Sequence, residues 1–506
     1  MLSFTQMSPW AERTLPKITW ISLLLAAGAC LILWIVRIRY AISFVTPYMM
    51  VTTGAEEESL FAVWKFTHHQ ALYADPHRIP FAASYFNWGF YYFYGSITNF
   101  WLNLLHLDAI WIPTIGRLIS LAITLAAGVV FIVAVRSLVQ SGLFADSRFA
   151  WAWCLIAVLS PLIGFWSITV RPDLGALLFE FTGLYLVLRY LRKENLLSIF
   201  GAVILFYAAW AFKQTAVTMI AGSALALLLY RRWRAFFILT GFWWLLVALT
   251  LIIGGPVFRE CLIFSQAHLP LLVSFGTTNA LRAETKNIFL FPCLALLLAL
   301  SWLRFRRNAA IPAQTLLTFV ALFAFCFALV TSCKAGANDN YFIPAAWAGM
   351  LGFALAWEQL GSRWVMMGLI ACSWLTIATI ALTPIGHGFY YDYRGSDRPH
   401  RAVAEKLASL PYPAIVTERY SNLPWVQSHA PHFVLSFAYD YDRKAGVPLE
   451  DGGWEGLAEE GYFETVVIDQ SYSPAPILLK KYKLVDEYQD AFTDYKFYRR
   501  AEPADH

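Results

Sequence analysis

Charged residues are scarce in this chain. Asp, Glu, Lys and Arg make up only 14% of the 506 residues, whereas hydrophobic residues make up 59%. Soluble globular domains carry about 25% charged and about 45–50% apolar residues. Together with a mean hydropathy of +0.54, this shortage of charge excludes a soluble globular protein and predicts a polytopic membrane protein. The net charge of +5 is small for this length and implies no nucleic-acid partner.

Sequence signals of several other protein classes are also absent. The seven cysteines show no CxxC or metal-ligand spacing, and most lie in apolar runs where Cys acts as a small hydrophobic residue. Only Cys261 and Cys333 fall in expected loops, so a disulfide between them is a weak prediction. The sequence has no internal repeat and no low-complexity tract. The first apolar run, 18–36, is too long for a cleavable signal and predicts a retained signal anchor.

Long apolar runs are abundant. A spanning helix needs about 20 apolar residues, and eleven runs approach that length: 18–36, 115–136, 149–168, 173–191, 198–212, 214–230, 235–254, 286–303, 313–331, 342–359 and 364–384. The segment 82–106 is aromatic but carries Asn87, Asn99, Asn103 and His106, so we expect a helix along the membrane interface. We therefore predict an all-α polytopic membrane protein with about eleven transmembrane helices.

The distribution of basic residues predicts the orientation of these helices. With eleven crossings, the Arg and Lys clusters within 189–193, 231–234 and 304–307 fall on the same side as the N-terminus. The positive-inside rule places that side in the cytoplasm. The long first loop, 37–114, then lies outside. The loops around 171–173, 213–215 and 334–341 lie on the same external face, where we expect their polar residues to converge.

The composition changes near residue 389. Residues 390–506 are richer in Asp, Glu and Lys and contain no Cys. Their pattern predicts helices at 398–410, 453–461 and 475–481, and strands at 414–418, 432–437, 463–469, 484–488 and 495–499. The sequence thus predicts two domains: a transmembrane module, 1–389, and a small C-terminal α/β domain, 390–506, that lies outside the cytoplasm.

Three adjacent carboxylates, Glu56, Glu57 and Glu58, follow the first apolar run. An acid beside a bilayer must be hydrated, paired or neutralised, so a cluster of three indicates a functional site. The alternative is that the acids only stabilise the start of a helix, where Glu is favoured. A metal site is a minority interpretation because HxxxH and HExxH are absent, although acids and imidazoles follow in the loop: His68, His69, Asp75 and His77.

Three further loops carry polar residues, each with a structural alternative. Asp173 follows Arg171 and Pro172, where it can act in a site or interact with a helix N-terminus. Lys213 interrupts two apolar runs, where it can bind a phosphate or extend its ammonium to the interface. The loop 334–341, with Lys334, suits sugar or phosphate recognition but also an ordinary turn.

These residues occur in a recognisable order. Glu57-Glu58-Ser59-Leu60-Phe61-Ala62 resembles a D-E-A-x-Y-A element. It is followed by Ala71-Leu72-Tyr73, Arg117-Leu118-Ile119-Ser120, Arg171-Pro172-Asp173, Lys213-Gln214-Thr215-Ala216 and Asn340-Tyr341-Phe342. Over roughly residues 45–345 the chain resembles the GT-C superfamily of glycosyltransferases that use lipid-phosphosugars. The most similar groups are the bacterial ones related to protein O-mannosyltransferases and aminoarabinose transferases. Glu in place of the usual first Asp leaves the register of the catalytic carboxylate open among the three glutamates.

The resemblance implies an enzyme of the bacterial inner membrane with a periplasmic C-terminal domain. It would move a sugar from a polyprenyl-phosphate donor to a lipid, glycan or protein acceptor. Glu57 would be the general base, with Glu56 and Glu58 as alternates, and Asp173 would orient the acceptor. The resemblance also implies donor and phosphate ligands: Arg117, Lys213, Lys334, Asn340 and Tyr341. No cofactor is certain and a divalent metal is left open. A transporter or flippase, or a structural subunit that presents the C-terminal domain, is the alternative.

Overall fold

The computed structural model describes residues 9–45, 56–79, 81, 84–139, 147–306, 312–360, 363–383, 405–417, 433–434, 439–469, 478–489 and 494–501. Up to residue 383 these residues form helices, as an apolar chain in a bilayer must satisfy its backbone groups internally. The first eight are α1 (Pro9–Ala41), α2 (Glu57–Thr67), α3 (Trp88–Leu105), α4 (Ile112–Leu138), α5 (Ser147–Leu159), α6 (Pro161–Trp166), α7 (Asp173–Lys193) and α8 (Leu196–Phe212).

The next eight helices complete the membrane module. They are α9 (Thr218–Leu229), α10 (Trp233–Arg259), α11 (Ser265–Ala267), α12 (Val273–Lys286), α13 (Leu290–Arg306), α14 (Pro312–Thr331), α15 (Ile343–Leu360) and α16 (Arg363–Leu382). A π-helical turn at Glu260–Phe264 joins α10 to α11, and a 3-10 turn at Asp339–Phe342 precedes α15. The packing pairs α7 with α8, α9 with α14, α1 with α16, and α14 with α15.

Each of the eleven predicted apolar runs corresponds to helical structure. The run 149–168 is divided at Ser160, where Pro161 begins α6. By length and composition, the described helices include six that can cross a membrane alone, and seven if α12 and α13, bent by 94°, form one broken span. The expectation of a multi-pass membrane protein is confirmed, while the count of eleven crossings remains a prediction.

Two local features bring the first loop against α8 and against the turn that follows α10. At Gly89 in α3 an added Cβ would lie 2.8 Å from the carbonyl oxygen of Ala211 in α8, so glycine permits the close approach of these helices. At Gly255 the backbone has φ +75°, and Pro256 follows, which bends the chain at the end of α10. The turn after this bend contacts the first loop, where the thiol of Cys261 donates to the carbonyl of Ala74 at 3.2 Å.

The described part of the C-terminal region has a five-stranded mixed sheet and short helices, and residues 405–408 before it are also helical. Its elements are β1 (Ala414–Thr417), β2 (Phe433–Val434), α17 (Tyr439–Lys444), α18 (Gly453–Glu460), β3 (Thr465–Asp469), α19 (Leu478–Lys481), β4 (Tyr482–Gln489) and β5 (Asp494–Arg500). The strand order is β2-β1-β3-β5-β4. β1 lies parallel to β2 and β3, and β5 pairs antiparallel with β3 and β4. The five strands lie within or overlap the predicted ranges.

The structure differs from the sequence predictions at some positions. Cys261 and Cys333 are free thiols, so the predicted disulfide between them is wrong. Each thiol instead donates to a backbone carbonyl, which satisfies it without a covalent bond. Helix α17 was not predicted, because its sequence YDYDRK is too short and polar for a periodic signal. The proposed domain boundary at 389/390 and the start of the helix at 398–410 lie outside the described residues.

Reporter fusions test the orientation of the bundle. A fusion after Arg234 or Arg307 should be cytoplasmic, because the basic clusters there favour that side. A fusion after Asn338 or at His506 should be external. Alkaline phosphatase activity, high at the external positions and low at the cytoplasmic ones, is the measurement. External activity after Arg307 would contradict both the eleven-span count and the common external face.

Candidate functional site

Glu56 and Arg117 form a buried ion pair. Arg117 Nη2 lies 2.7 Å and Nε 3.2 Å from the two carboxylate oxygens of Glu56, and both side chains are 0% exposed. The amide of Val170 donates to Glu56 at 2.8 Å, and Arg117 also donates to the carbonyl of Ala41 at 2.8 Å. The pair therefore ties α2 to α4 and to the segment before α7. This geometry gives both residues structural partners and leaves neither exposed to a substrate.

Glu58 lies on α2 and contacts a later part of the first loop. One of its oxygens accepts hydrogen bonds from the Tyr85 amide, at 3.1 Å, and from the Tyr91 hydroxyl. The other carboxylate oxygen is buried without a hydrogen-bond partner. Burial raises the pKa of Glu58, and the hydrogen bonds from Tyr91 and Tyr85 act in the opposite direction. Glu57 is the first residue of α2, but its side chain lies outside the described part of the structure.

Asp173, Lys213 and Asn340 meet although they are distant in sequence. The Lys213 ammonium lies 2.5 Å from Asp173 Oδ1, and Asn340 Nδ2 donates to the same oxygen at 2.6 Å. Lys213 also lies 4.5 Å from the ring centroid of Tyr341. Asp173 and Lys213 are each 8% exposed. The start of α7, the end of α8 and the turn before α15 thus converge, as the parity of the loops predicted.

Arg171 lies close to both Asp173 and the first loop. Its Nε is 3.6 Å from Asp173 Oδ2, and its guanidinium lies 4.6 Å from the ring centroid of Phe86, the residue after Tyr85. The charge of Arg171 also acts on Glu58. Arg171 therefore links the Asp173 cluster electrostatically to the first loop.

Lys334 reaches the first loop through a glutamine. Its ammonium donates to Gln266 Oε1 at 2.6 Å, and Gln266 Nε2 donates to the carbonyl of Tyr85 at 2.9 Å. Gln214, next to Lys213, donates to the same carbonyl at 2.7 Å. Burial lowers the pKa of Lys334 to about 8, so it is mostly charged at pH 7. Among the described residues Lys334 has no carboxylate within ion-pair distance.

The described donors fit a divalent metal poorly. The two oxygens of Asp173 already face Lys213 and Arg171, and a metal there would share one carboxylate with two cations. Within the described ranges no group of three or more His, Cys, Asp or Glu side chains is arranged to hold a metal. Of the loop residues considered for a metal, His77 instead contacts Asp75 and Asp442.

A large open cavity lies beside the first loop. Its volume is about 1530 Å³, and it is bounded by residues 66–73, by α3, and by α8 and α10. Apolar side chains supply most of the wall, including Tyr73, Phe100, Ile253 and Phe258. Ile253 on α10 is 82% exposed. The cavity therefore lies beside an exposed, apolar part of α10, one of the helices able to cross a membrane.

Several polar partners of the candidate site residues were not predicted from the sequence. Tyr85 and Tyr91 were noted only as part of an aromatic segment, and Gln266 was not considered. Their roles rest on backbone groups and on single hydrogen bonds, which leave no periodic or charge signal in a sequence. Glu180, buried on α7 and within reach of the Met219 amide at 3.3 Å, was also missed. An isolated acid inside a predicted span is a signal that could have found it.

Comparison with known proteins decides the fold. No family model and no curated protein sequence matches the chain. The structure of ArnT from Cupriavidus metallidurans bound to undecaprenyl phosphate matches with a TM-score of 0.56 and 15% identity, over 94% of this chain and 97% of that one. The chain has the GT-C fold.

A second solved structure agrees with this assignment. The oligosaccharyltransferase of Archaeoglobus fulgidus, tethered with an acceptor peptide, matches with a TM-score of 0.52 and 12% identity, over 94% of this chain and 74% of that chain. Apo ArnT matches with a TM-score of 0.56 and 13% identity, over 95% of this chain and 97% of that one. The predicted fold class, a GT-C membrane module with a small C-terminal α/β region, is confirmed.

Proposed function

We propose that this protein is a membrane glycosyltransferase that moves a sugar from a polyprenyl-phosphate donor to an acceptor. The observation that carries the proposal is the convergence of Asp173, Lys213 and Asn340, joined through Arg171 to the loop that holds Glu58, on a GT-C fold. Buried charges are costly in a membrane protein and persist where they serve a function. Two proteins of similar structure, an oligosaccharyltransferase and ArnT bound to undecaprenyl phosphate, support the same class of reaction.

The proposed reaction has two electronic requirements. The acceptor hydroxyl or amine forms a bond to C1 of the sugar while the bond from C1 to the phosphate oxygen breaks. The acceptor proton passes to a carboxylate base, and the polyprenyl phosphate leaves with the bonding electron pair. A positioned base assists the attack by taking the acceptor proton. Cations or amide donors stabilise the negative charge that grows on the departing phosphate.

We assign the base to Glu57. Glu56 is held by Arg117, and one carboxylate oxygen of Glu58 accepts hydrogen bonds from Tyr85 and Tyr91. Both neighbours are therefore engaged in the fold of the loop. Glu57 occupies the first turn of α2, at the external face where the acceptor must approach. Asp173, with one oxygen shared by Lys213 and Asn340, orients the acceptor.

The phosphate is assigned to Lys334, with Lys213 and Arg171 nearby. A phosphate binds best where a cation is not already neutralised by a carboxylate, and Lys334 meets this condition among the described residues. Lys213 shares its charge with Asp173 before the reaction and can turn to the departing phosphate as its charge grows. We assign Arg117 to the fold of the first loop, because its guanidinium is fully buried against Glu56.

The cavity beside α3 is suited to the isoprenoid chain of the donor. Its wall is mostly apolar, and none of its described lining residues is Lys or Arg, so we place the phosphate outside it, toward Lys334. The site would face the periplasm of a bacterial inner membrane, together with the C-terminal domain. The acceptor class, whether lipid, glycan or protein, is left open. The comparisons give no support to a transporter or flippase.

Binding of undecaprenyl phosphate tests the phosphate assignment. At a hundredfold excess over Kd, the lipid should raise the Tm of the purified protein by roughly 3–6 °C, because it binds only the folded state. Lys334→Met should lose most of this shift. Lys480→Met, which changes an exposed lysine of the C-terminal region, is the matched control and should keep it. An undiminished shift in Lys334→Met would contradict the assignment.

A further inference from the structure

Part of the first loop belongs to the core of the C-terminal region. Phe81 is fully buried in a cluster with Tyr439, Trp454 and Val466. The ring centroids of Phe81 and Tyr439 lie 5.6 Å apart in an edge-to-face arrangement. A loop of the membrane module therefore supplies a core residue to the sheet region. Separation of the two regions would expose this ring to water.

Residues 77–79, just before Phe81 in the same loop, make further contacts with the C-terminal region. The amide of Glu450 donates to the carbonyl of His77 at 2.9 Å. The amide of Ile79 donates to the Glu450 carboxylate at 3.4 Å, and Arg78 lies 3.9 Å from that carboxylate. Main-chain bonds of this kind fix the path of the loop as well as its distance from the sheet region.

Asp442 connects three parts of the chain. It is 2% exposed, and one of its oxygens lies 3.6 Å from Nε2 of His77 in the first loop. Its other oxygen lies 3.0 Å from Nδ1 of His268, directly after α11. A buried carboxylate is costly unless it is partnered, and His268, at hydrogen-bond distance, is the nearer of the two imidazoles. Asp442 thus fastens the C-terminal region to two separate segments of the membrane module.

The same loop continues into the candidate site. Four residues after Phe81, the Tyr85 amide donates to Glu58 at 3.1 Å, and the Tyr85 carbonyl accepts from Gln214 and Gln266. Phe81 itself has φ +56°, a left-handed conformation that is unfavourable for an aromatic residue. Such a conformation persists only when the surrounding structure holds it in place. Here the core of the C-terminal region provides that restraint.

We propose that the C-terminal region is a positioning element of the active site. We call the described residues 75–79, 81, 84 and 85 the docking segment. Phe81 and Asp442 anchor the docking segment, and this anchoring holds the Tyr85 backbone against Glu58, Gln214 and Gln266. The positioning residues are Phe81 and Asp442, which act through Tyr85 and do not touch the substrate. The effect on catalysis rests on the proposed function, whereas the effect on the position of Tyr85 does not.

Hydrogen exchange in the full-length protein tests this coupling without any substrate. The variant is Asp442→Asn, which keeps the shape of the side chain but removes its charge. Asp486→Asn is the matched control, because Asp486 pairs with Lys406 within the C-terminal region. In Asp442→Asn we expect exchange to become about tenfold faster in peptides that cover 84–86 as well as in those that cover 439–450. The control should exchange at the wild-type rate in 84–86.

Enzyme kinetics provide the second readout. A loss of positioning should lower kcat of Asp442→Asn by on the order of tenfold to 10²-fold with little change in the KM of the donor. Phe81→Leu should retain more activity than Phe81→Ala, because it still fills the core. Faster exchange at 439–450 with unchanged exchange at 84–86 would overturn the proposal, and so would unchanged exchange in both. If no transfer is detected in the wild-type protein, the proposed function fails while the exchange result still decides the coupling.

Discussion

Replacing Glu57 with Gln is expected to lower the rate of sugar transfer by about 10²–10⁴-fold, the usual contribution of a general base. Gln keeps the size and hydrogen bonding of the side chain but cannot accept the acceptor proton. Expression and Tm should stay close to wild type. The measurement is the steady-state rate of transfer from a polyprenyl-phosphate sugar by purified protein, with Tm recorded on the same preparation.

The neighbouring glutamates provide matched controls of the same chemistry. Glu56→Gln should mainly lower stability, because it leaves the Arg117 guanidinium buried and unpaired, a change that costs about 3–5 kcal/mol in buried ion pairs. Glu58→Gln should keep at least one hydrogen bond to the first loop. If Glu57→Gln is near wild type while Glu58→Gln is inactive, the register of the base is wrong by one residue. Activity in all three variants would contradict a carboxylate base at this position.

Replacing Lys213 with Met should lower kcat more than it weakens donor binding. The expected loss is about 2–4 kcal/mol of transition-state stabilisation, or roughly 30–1000-fold, because the charge on the phosphate is largest as the bond to C1 breaks. Lys213→Arg should restore only part of the rate, since a planar guanidinium does not replace a compact ammonium in a confined site. Separate determination of kcat and KM for the donor is the measurement.

The alternative for Lys213 predicts a different result. If its ammonium only reached the membrane interface, Met would preserve the packing of its stem and leave activity unchanged. The observed position, 2.5 Å from Asp173 with the residue 8% exposed, disagrees with an ammonium directed to water. A wild-type turnover in Lys213→Met would nevertheless overturn its catalytic role, and the phosphate site would then rest on Lys334 and Arg171.

The architecture could be predicted from the sequence because membrane helices are recognised by hydropathy averaged over many residues. Hydropathy over about 20 residues located the helices that, in the described part of the chain, are long and apolar enough to cross a membrane, and the absence of charge in those runs carried the signal. In the C-terminal region, short runs of β-branched residues such as those in Thr465–Asp469 predicted the strands. The break at Pro161 and the bend at Gly255 were not predicted as breaks, because local helix interruption depends on packing that composition does not record.

The candidate site was predictable as a location and not as a set of contacts. Loop parity placed Asp173, Lys213 and Asn340 on one face, and the structure joins them directly. The partner of each glutamate was not predictable, since adjacent residues on a helix point about 100° apart and differ in burial. The buried pair of Glu56 with Arg117 spans 61 positions, and the contact of Asp442 with His77 spans far more. Such pairs are set by the tertiary fold.

The most direct test of the account is a transfer assay with purified protein in liposomes that contain a polyprenyl-phosphate sugar. We predict that the wild-type protein breaks the bond between C1 and phosphate as C1 bonds to an added acceptor or to water, releasing polyprenyl phosphate detectable by mass spectrometry. Glu57→Gln should release at least about 10²-fold less. The contradicting result is movement of the intact lipid-linked sugar across the bilayer with no polyprenyl phosphate formed, which would identify a transporter.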